Sequence, residues 1–319
     1  MKRVMIIDAL NQFLRAYIVN PTLTSNGNPI GGVIGFLNIL GKLCREIKPD
    51  QVMICWDSPG GSLKRRQMNK GYKAGRKPIK KNYEVDGMDE QSEYENKIWQ
   101  QETLIHILNH MPVQQFLLHG SEADDIVSFL VGSPRLKGFQ KVIVSADKDF
   151  IQLLDDETVM YRPIQDEVLN CPVIVEKFNI SPQNFVLARI LTGDKSDNLD
   201  GIRGVGLKTA AKRFPFLKEE KAHLLSDLKT YCEETEETQK IYTDVLEQWE
   251  KVEDNYKIMN LVPPLISASE SMKIKAILKD FDFTLNATEL KKTSINYGFA
   301  SYDWSRLIGI MKGIQERNN

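Results

Sequence analysis

The sequence predicts an α/β fold, with a mainly parallel sheet and flanking helices over residues 1–184, followed by a mainly helical part over residues 185–319. Three observations carry this. Short β-rich runs recur and each ends at an acidic residue, helical stretches separate them, and from about Phe185 onward the pattern turns helical and strongly charged.

The first run, Val4 to Ile7, stops at Asp8; Val52 to Trp56 stops at Asp57, and Val142 to Ser145 stops just short of Asp147. Helical patterns over Gly32 to Ile47 and Glu102 to His110 lie between them, and strand–helix–strand order is that of a parallel sheet. Open sheets of this kind bind ligands beyond the carboxyl ends of their strands, so three strands deliver carboxylates to one rim. Ser121-Glu122-Ala123-Asp124 has the form of a capping signal, and the apolar stripe Ile126, Phe129, Leu130 follows. A helix starting at Ser121 places Glu122 and Asp125 on one face. Ser181-Pro182 predicts a second helix start, running through Leu191, after which Gly193-Asp194-Lys195-Ser196-Asp197-Asn198 is a loop. The stretch after Leu261 has two prolines and weak periodicity, and points to no chemistry.

A chain of 319 residues with 42% hydrophobic content can bury one large core, or a main domain with an appendage. Its 42 basic and 43 acidic residues nearly cancel, so attraction to a polyanion must come from segregated charge. Cys44, Cys55, Cys171 and Cys232 form no C-x-x-C pair, which argues against a zinc ribbon or disulfide framework and suits a reducing compartment. The N-terminal apolar run is too short for a signal peptide, and the longest apolar stretch, Ile30 to Leu43, holds Gly and Lys. A soluble, cytoplasmic protein without a membrane partner is expected.

The charge segregation appears between Lys64 and Lys81, with nine basic residues and no acidic one. Glu84, Asp86, Asp89, Glu90, Glu93 and Glu95 follow. A solvated basic loop is the plain reading; beside an acidic cluster the segment of about 64–100 also fits a lid or arch.

Nine acids stand out: Asp8, Asp57, Glu122, Asp124, Asp125, Asp147, Asp149, Asp194 and Asp197. Any one alone is an ordinary cap or solvated strand end. Gathered on one rim, they repel and need cations. The candidate ligands are all oxygens, which suits Mg²⁺ or Mn²⁺ over zinc, and their number implies two ions, some acids acting through water. Two such ions activate water and stabilise a leaving oxygen in phosphodiester cleavage.

Gly201-Ile202-Arg203-Gly204-Val205-Gly206-Leu207-Lys208-Thr209 nearly matches a phosphate-binding P-loop, but Leu207 separates the last Gly from Lys208, and no strand precedes it. Glycines before a basic helix instead let backbone N–H groups approach a nucleic-acid phosphate. His106 and His110 lack the Glu of a zinc-protease motif and are ordinary helix residues.

Together these residues resemble the 5′ nuclease family: flap endonucleases, the 5′–3′ exonuclease domain of DNA polymerase I, and freestanding bacteriophage enzymes of the ribonuclease H type. The motifs run in order from Asp8 with Arg15-Ala16-Tyr17, through Asp57 with Arg65 and Tyr72-Lys73-x-x-Arg76, to Glu122-Ala123-Asp124-Asp125, Asp147-Lys148-Asp149 and Gly193-Asp194-x-x-Asp197-Asn198. The resemblance covers about Lys2 to Phe214 and implies a PIN-like nuclease core, a helical arch and a helix-hairpin-helix segment near 198–214. It implies that the acids hold two Mg²⁺ ions, with Asp125 behind them. Lys73 then stabilises charge on the reacting phosphate and Arg76 grips the substrate. Arg15, Arg65 or Arg66, and Tyr72 contact DNA, and Gly201, Gly204, Gly206, Lys208, Thr209 and Lys212 bind the duplex backbone, with K⁺ at the hairpin. One residue more between Asp57 and Arg65 than in the polymerase-linked enzymes leaves open which arginine acts. The resemblance further implies a monomer acting on 5′-flap, nicked or branched DNA and RNA–DNA hybrid, in the host cytoplasm if phage-encoded. It implies primer removal, aided by a sliding clamp or single-strand-binding protein. Two other readings compete: a PIN-like ribonuclease, disfavoured by the hairpin and the Lys73 motif, and a non-catalytic branched-DNA binder, disfavoured because no acid is missing.

Overall fold

The computed structural model describes residues 1–85 and 87–318, so Asp86 of the acidic stretch lies outside the described residues. A six-stranded sheet runs in the order β3-β2-β1-β4-β5-β6. Its strands are β1 (Arg3–Asp8), β2 (Gln51–Trp56), β3 (Gln114–Leu117), β4 (Gln140–Val144), β5 (Thr158–Arg162) and β6 (Glu167–Leu169). Neighbours pair in parallel, except β6, which returns antiparallel to β5. β1 and β2 are covered on both faces, so they read as continuous apolar runs without alternation. Asp8 pairs with Cys55 and Ile7 with Val144, which brings the carboxyl ends of β1, β2 and β4 level. The strand order turns back between β1 and β4, the place where open sheets bind ligands.

One face of the sheet, with Met5, Ile7, Val52, Ile54 and Val144, packs against α1 (Ala9–Val19), α2 (Gly31–Ile47) and α4 (Glu90–Leu108). The other, with Val4, Ile6, Met53 and Ile143, packs against α5 (Ala123–Val131), α6 (Cys171–Phe178) and α7 (Phe185–Thr192). The expected division at 184/185 has no counterpart in the packing, because Phe185, Leu187 and Ile190 belong to the cluster that covers the sheet. Beyond it, α8 (Leu207–Arg213), α9 (Leu225–Glu234), α10 (Lys240–Glu247) and α11 (Trp249–Met259) gather around Phe214, Leu228, Tyr242 and Val252. The chain then turns back through α12 (Ala268–Asp280), α13 (Ala287–Asn296) and α14 (Trp304–Asn318). Leu290, Trp304, Leu307 and Met311 join Phe36 and Leu40 on the opposite face, so the end of the chain completes the α/β core.

The predicted helix start at Ser121 shifts to Ala123, and Glu122 takes the cap position without a side-chain hydrogen bond. Asp57 serves instead, its Oδ1 accepting from the Ala123 N–H at 3.0 Å, while the Ser121 hydroxyl donates to Glu270. The basic run holds one short helix, α3 (Leu63–Met68). A strap of turns and irregular chain then leads to α4, which Asp89 caps. No described helix is long and apolar enough to cross a membrane.

Candidate active site

Asp8 ends β1 and caps α1, accepting from the Asn11 N–H at 3.2 Å and the Ser145 hydroxyl at 2.9 Å. Asp57 follows β2, Glu122 and Asp124 stand at the head of α5, and Asp147 and Asp149 flank the start of a 3₁₀ turn after β4. Asp194 and Asp197 come from the loop after α7. Burial pushes the Asp8 carboxyl up to about 7, and the charges of Asp57 and Asp147 add to the rise. Asp149 is likewise pushed to about 7 by burial and then by Asp147, against the pull of Arg189. Burial also raises Asp57, Asp124 and Asp147, and Asp147 adds to the rise of Asp124. Glu122 and Asp194 go the other way: burial would raise both, but Lys73 and Arg65 outweigh it for Glu122, and Ser196 with Arg189 for Asp194. On this rim Glu122, Asp149, Asp194 and Asp197 are salt-bridged, while burial and neighbouring carboxylates raise Asp8, Asp57, Asp124, Asp147 and Asp149.

This donor set fits hard divalent ions: it is all oxygen, short of positive charge, and energetically relieved by a cation. Among the described residues no three carboxylate, imidazole or thiol groups converge as a ready cage. That is compatible with Mg²⁺, which keeps several waters and takes one or two carboxylates directly.

Several expected roles change. Asp125, counted among the nine acids, is buried with both oxygens engaged by Arg65, at 2.6 and 3.1 Å, and the Leu265 N–H donating at 2.9 Å, which ties it to the scaffold behind the rim. Arg65 is itself only 2% exposed, donating also to Glu122 at 2.7 Å and to the Ile258 carbonyl at 2.9 Å, and cannot reach DNA. Arg66 is the exposed member of the pair. Tyr72 is buried too; its hydroxyl donates to Glu122 at 3.1 Å, which removes it from the DNA contacts. Lys73 pairs with Glu122, and Arg76 pairs with Asp197 while donating to the Ser196 carbonyl at 3.0 Å. Both therefore stand at the rim. Gly201 packs the hairpin, since a Cβ there would lie 2.3 Å from the Thr192 carbonyl carbon. Gly204, at φ +79°, and Gly206 face open space, as phosphate approach requires. Lys208 and Lys212 are exposed four apart on α8, with Thr209 half-buried between them. Arg15 is half-buried on α1.

Arg189, which the sequence reading did not single out, joins Asp149 at 2.8 Å to Asp194 at 2.5 Å. A lone charge in the apolar run Phe185 to Leu191 was its signal. Ser145, donating to Asp8, and Glu270, held by Lys64 at 2.8 Å and Ser121 at 2.8 Å, had no sequence signal.

Acids on the carboxyl rim of a parallel sheet, crossed by a basic strap and flanked by a glycine hairpin, define the class of metal-dependent nucleases. A family model, the 5′-3′ exonuclease N-terminal resolvase-like domain, matches residues 3–179. The 5′-3′ exonuclease of Aquifex aeolicus is 32% identical over 211 residues, 66% of this chain and 68% of that protein. The chain belongs to the 5′–3′ exonuclease family. In fold it is similar to the bacteriophage T5 flap endonuclease complexed with DNA and metal ions, with TM-score 0.64 and 17% identity over 94% of this chain and 100% of that one. The T5 5′-exonuclease with bound zinc gives TM-score 0.64 at 16% identity, over 92% and 98% of the two chains.

Proposed function

We propose that this enzyme is a structure-specific 5′ nuclease that hydrolyses phosphodiester bonds in 5′-flap, nicked or branched DNA and in RNA–DNA duplexes, removing primers or flaps during replication. The five rim acids whose protonation is favoured by burial and mutual repulsion carry this reading, because such a group is relieved by divalent cations. Asp8, Asp57, Asp124, Asp147 and Asp149 would hold two Mg²⁺ ions, for which Mn²⁺ can substitute, with Glu122, Asp194 and Asp197 acting through water. When bound, the ions lower the pKa of the attacking water and stabilise the leaving oxygen. Lys73 and Arg76 exchange their carboxylate partners for the substrate, Lys73 donating to a non-bridging phosphate oxygen and Arg76 to the flanking backbone. Gly204, Gly206, Lys208, Thr209 and Lys212 grip the duplex, with Arg66 beside the strap and K⁺ at the hairpin. The resemblance supports the monomeric state, the cytoplasmic setting and help from a clamp or single-strand-binding protein. A labelled panel of 5′ flap, nicked duplex, RNA–DNA hybrid and single strand, each with Mg²⁺ or EDTA, tests the reading. Mg²⁺-dependent cutting of the flap and hybrid is expected, whereas preferential cutting of single-stranded RNA would indicate a PIN-like ribonuclease.

A further inference from the structure

Arg189 is the one charged side chain of α7, a helix whose other positions are apolar apart from Thr192 at its end. It is 9% exposed, and each of its guanidinium nitrogens has a partner: Nε donates to Asp149 Oδ1 at 2.8 Å, Nη2 to Asp194 Oδ2 at 2.5 Å and Nη1 to the Gly193 carbonyl at 3.3 Å. The two carboxylates come from different parts of the chain, Asp149 from the 3₁₀ turn after β4 and Asp194 from the loop after α7. Like charges repel, so a cation fixed between them sets how closely the loop acid approaches the sheet. The other oxygen of Asp194 accepts from the Ser196 N–H at 2.7 Å and its hydroxyl at 2.6 Å, which turns the rest of the loop about the same carboxylate. Arg76 and Asp197 make a second cation–acid pair on this loop, but the Arg76 side chain is half exposed and comes from the strap, whereas that of Arg189 is 11% exposed. Arg76 is free to leave for the substrate; Arg189 is held in place by α7.

The same loop is the root of the glycine hairpin. Gly193 and Asp194 pair antiparallel with Asp200 and Leu199, and a Cβ on Gly193, at φ +67°, would lie 2.3 Å from the Gly201 N, so the ribbon has no room to shift there. The Ile202 N–H donates to the Leu191 carbonyl at 2.8 Å, and Asn255 of α11 donates to the Ile190 and Asp200 carbonyls, both at 3.0 Å. These contacts make α7, the ribbon and the start of the hairpin one packed unit, and Arg189 is its charged joint with Asp149 on the sheet. We propose that Arg189 is a positioning residue: it sets the distance between the hairpin that holds the duplex and the acids that hold the metals, and thereby selects which phosphodiester bond is cut. A planar guanidinium suits this task, because two carboxylates on one rigid fork are placed relative to each other, whereas an ammonium is a point charge that fixes neither. The proposal rests on the nuclease reading and adds to it a residue that fixes the register of the cut.

Two variants test this: Arg189→Lys, which keeps the charge, and Arg189→Met, which keeps an apolar stem of similar length. The first measurement, amide hydrogen exchange followed by mass spectrometry in EDTA, needs no cleavage. Exchange across residues 193–198 should be about tenfold faster in Arg189→Met than in wild type, because a lost charge-assisted pair lets the loop open locally, and Arg189→Lys should fall between. Exchange in β1 and β4 should stay at the wild-type level. The second measurement is the length of the product cut from one 5′ flap with Mg²⁺ at saturating protein. Wild type should give one main product, Arg189→Met should spread its cuts over neighbouring bonds, and Arg189→Lys should spread them less, with flap affinity in EDTA unchanged in both. A loop that exchanges as in wild type, or a single product kept by Arg189→Met, overturns the assignment. Faster exchange throughout the sheet also overturns it, since Arg189 is then a general stabiliser. Wild-type protein that cuts nothing with Mg²⁺ overturns the nuclease reading and the register with it, and the exchange alone then decides whether Arg189 places Asp194.

Discussion

Lys73 and Lys80 lie in one basic run, yet their surroundings differ in a way that assigns them different work. Lys73 is mostly buried between Glu122 and the Tyr72 ring, whereas Lys80 is exposed and pairs with Glu90 on α4. Lys73→Ala should lower the single-turnover rate on a 5′ flap by about 10²-fold with little change in affinity, since a group aimed at developing charge acts on the transition state. The Lys80→Ala, Lys81→Ala double variant is the control, and equal rate losses would reject a catalytic role for Lys73. Arg65→Ala should cost about 3–5 kcal/mol in a urea melt, because it leaves Asp125 and Glu122 buried without their partner. An unchanged midpoint would contradict the scaffold role. Most of the rim acids were legible as residues because each follows a strand or opens a helix; Asp194 and Asp197 lie in the loop after α7. Residue type alone does not divide them: Asp125 and Asp124 are adjacent and alike, only the resemblance sets Asp125 behind the others, and in the structure Arg65 and Leu265 engage Asp125.

The hairpin between α7 and α8 shows how far element-level reading reaches. Its glycines and lysines were visible in the sequence, but Gly201 does the packing and Gly204 and Gly206 present open backbone. Lys208→Glu with Lys212→Glu should weaken duplex binding and flatten its salt dependence, with the single-turnover rate at saturating protein largely kept. An unaltered salt slope would show that α8 does not touch the backbone. β1, β2 and β4 were legible from their apolar runs, whereas β3, β5 and β6 were not read, and the start of α5 shifted because its cap comes from Asp57, distant in sequence. The strap after α3 carries the charge expected of an arch, and its anchors are tertiary; among them the Lys73 N–H donates to the Asp197 carbonyl at 2.8 Å and the Asn82 N–H to that of Ile18 at 2.9 Å.

At the scale of the molecule, the stretch after Leu261 is part of the scaffold under the site. Glu270 accepts from Lys64, from the Ser267 N–H at 2.6 Å and from Ser121, the neighbours of Arg65 and Glu122. Burial would raise its carboxyl, but these donors outweigh it and hold it at about 2. A carboxyl depressed on folding stabilises the fold above its unfolded value of about 4.3 and loses that contribution as pH falls towards the folded one. The Tm of Glu270→Gln should therefore lie below wild type at pH 7, with the gap closing between about pH 4 and 2; a gap independent of pH would contradict the assignment. Weak periodicity hid this segment because each of its helices buries only two to four side chains, against α2, α4 or β3. If the rim acids hold the metals that cut a phosphodiester bond, removing one carboxylate should stop the chemistry and spare docking. In single-turnover cleavage of a 5′ flap with Mg²⁺, Asp147→Asn and Asp149→Asn should lose cleavage while binding the flap within a few-fold of wild type; cleavage at the wild-type rate by either variant would show that these acids do not hold the metals.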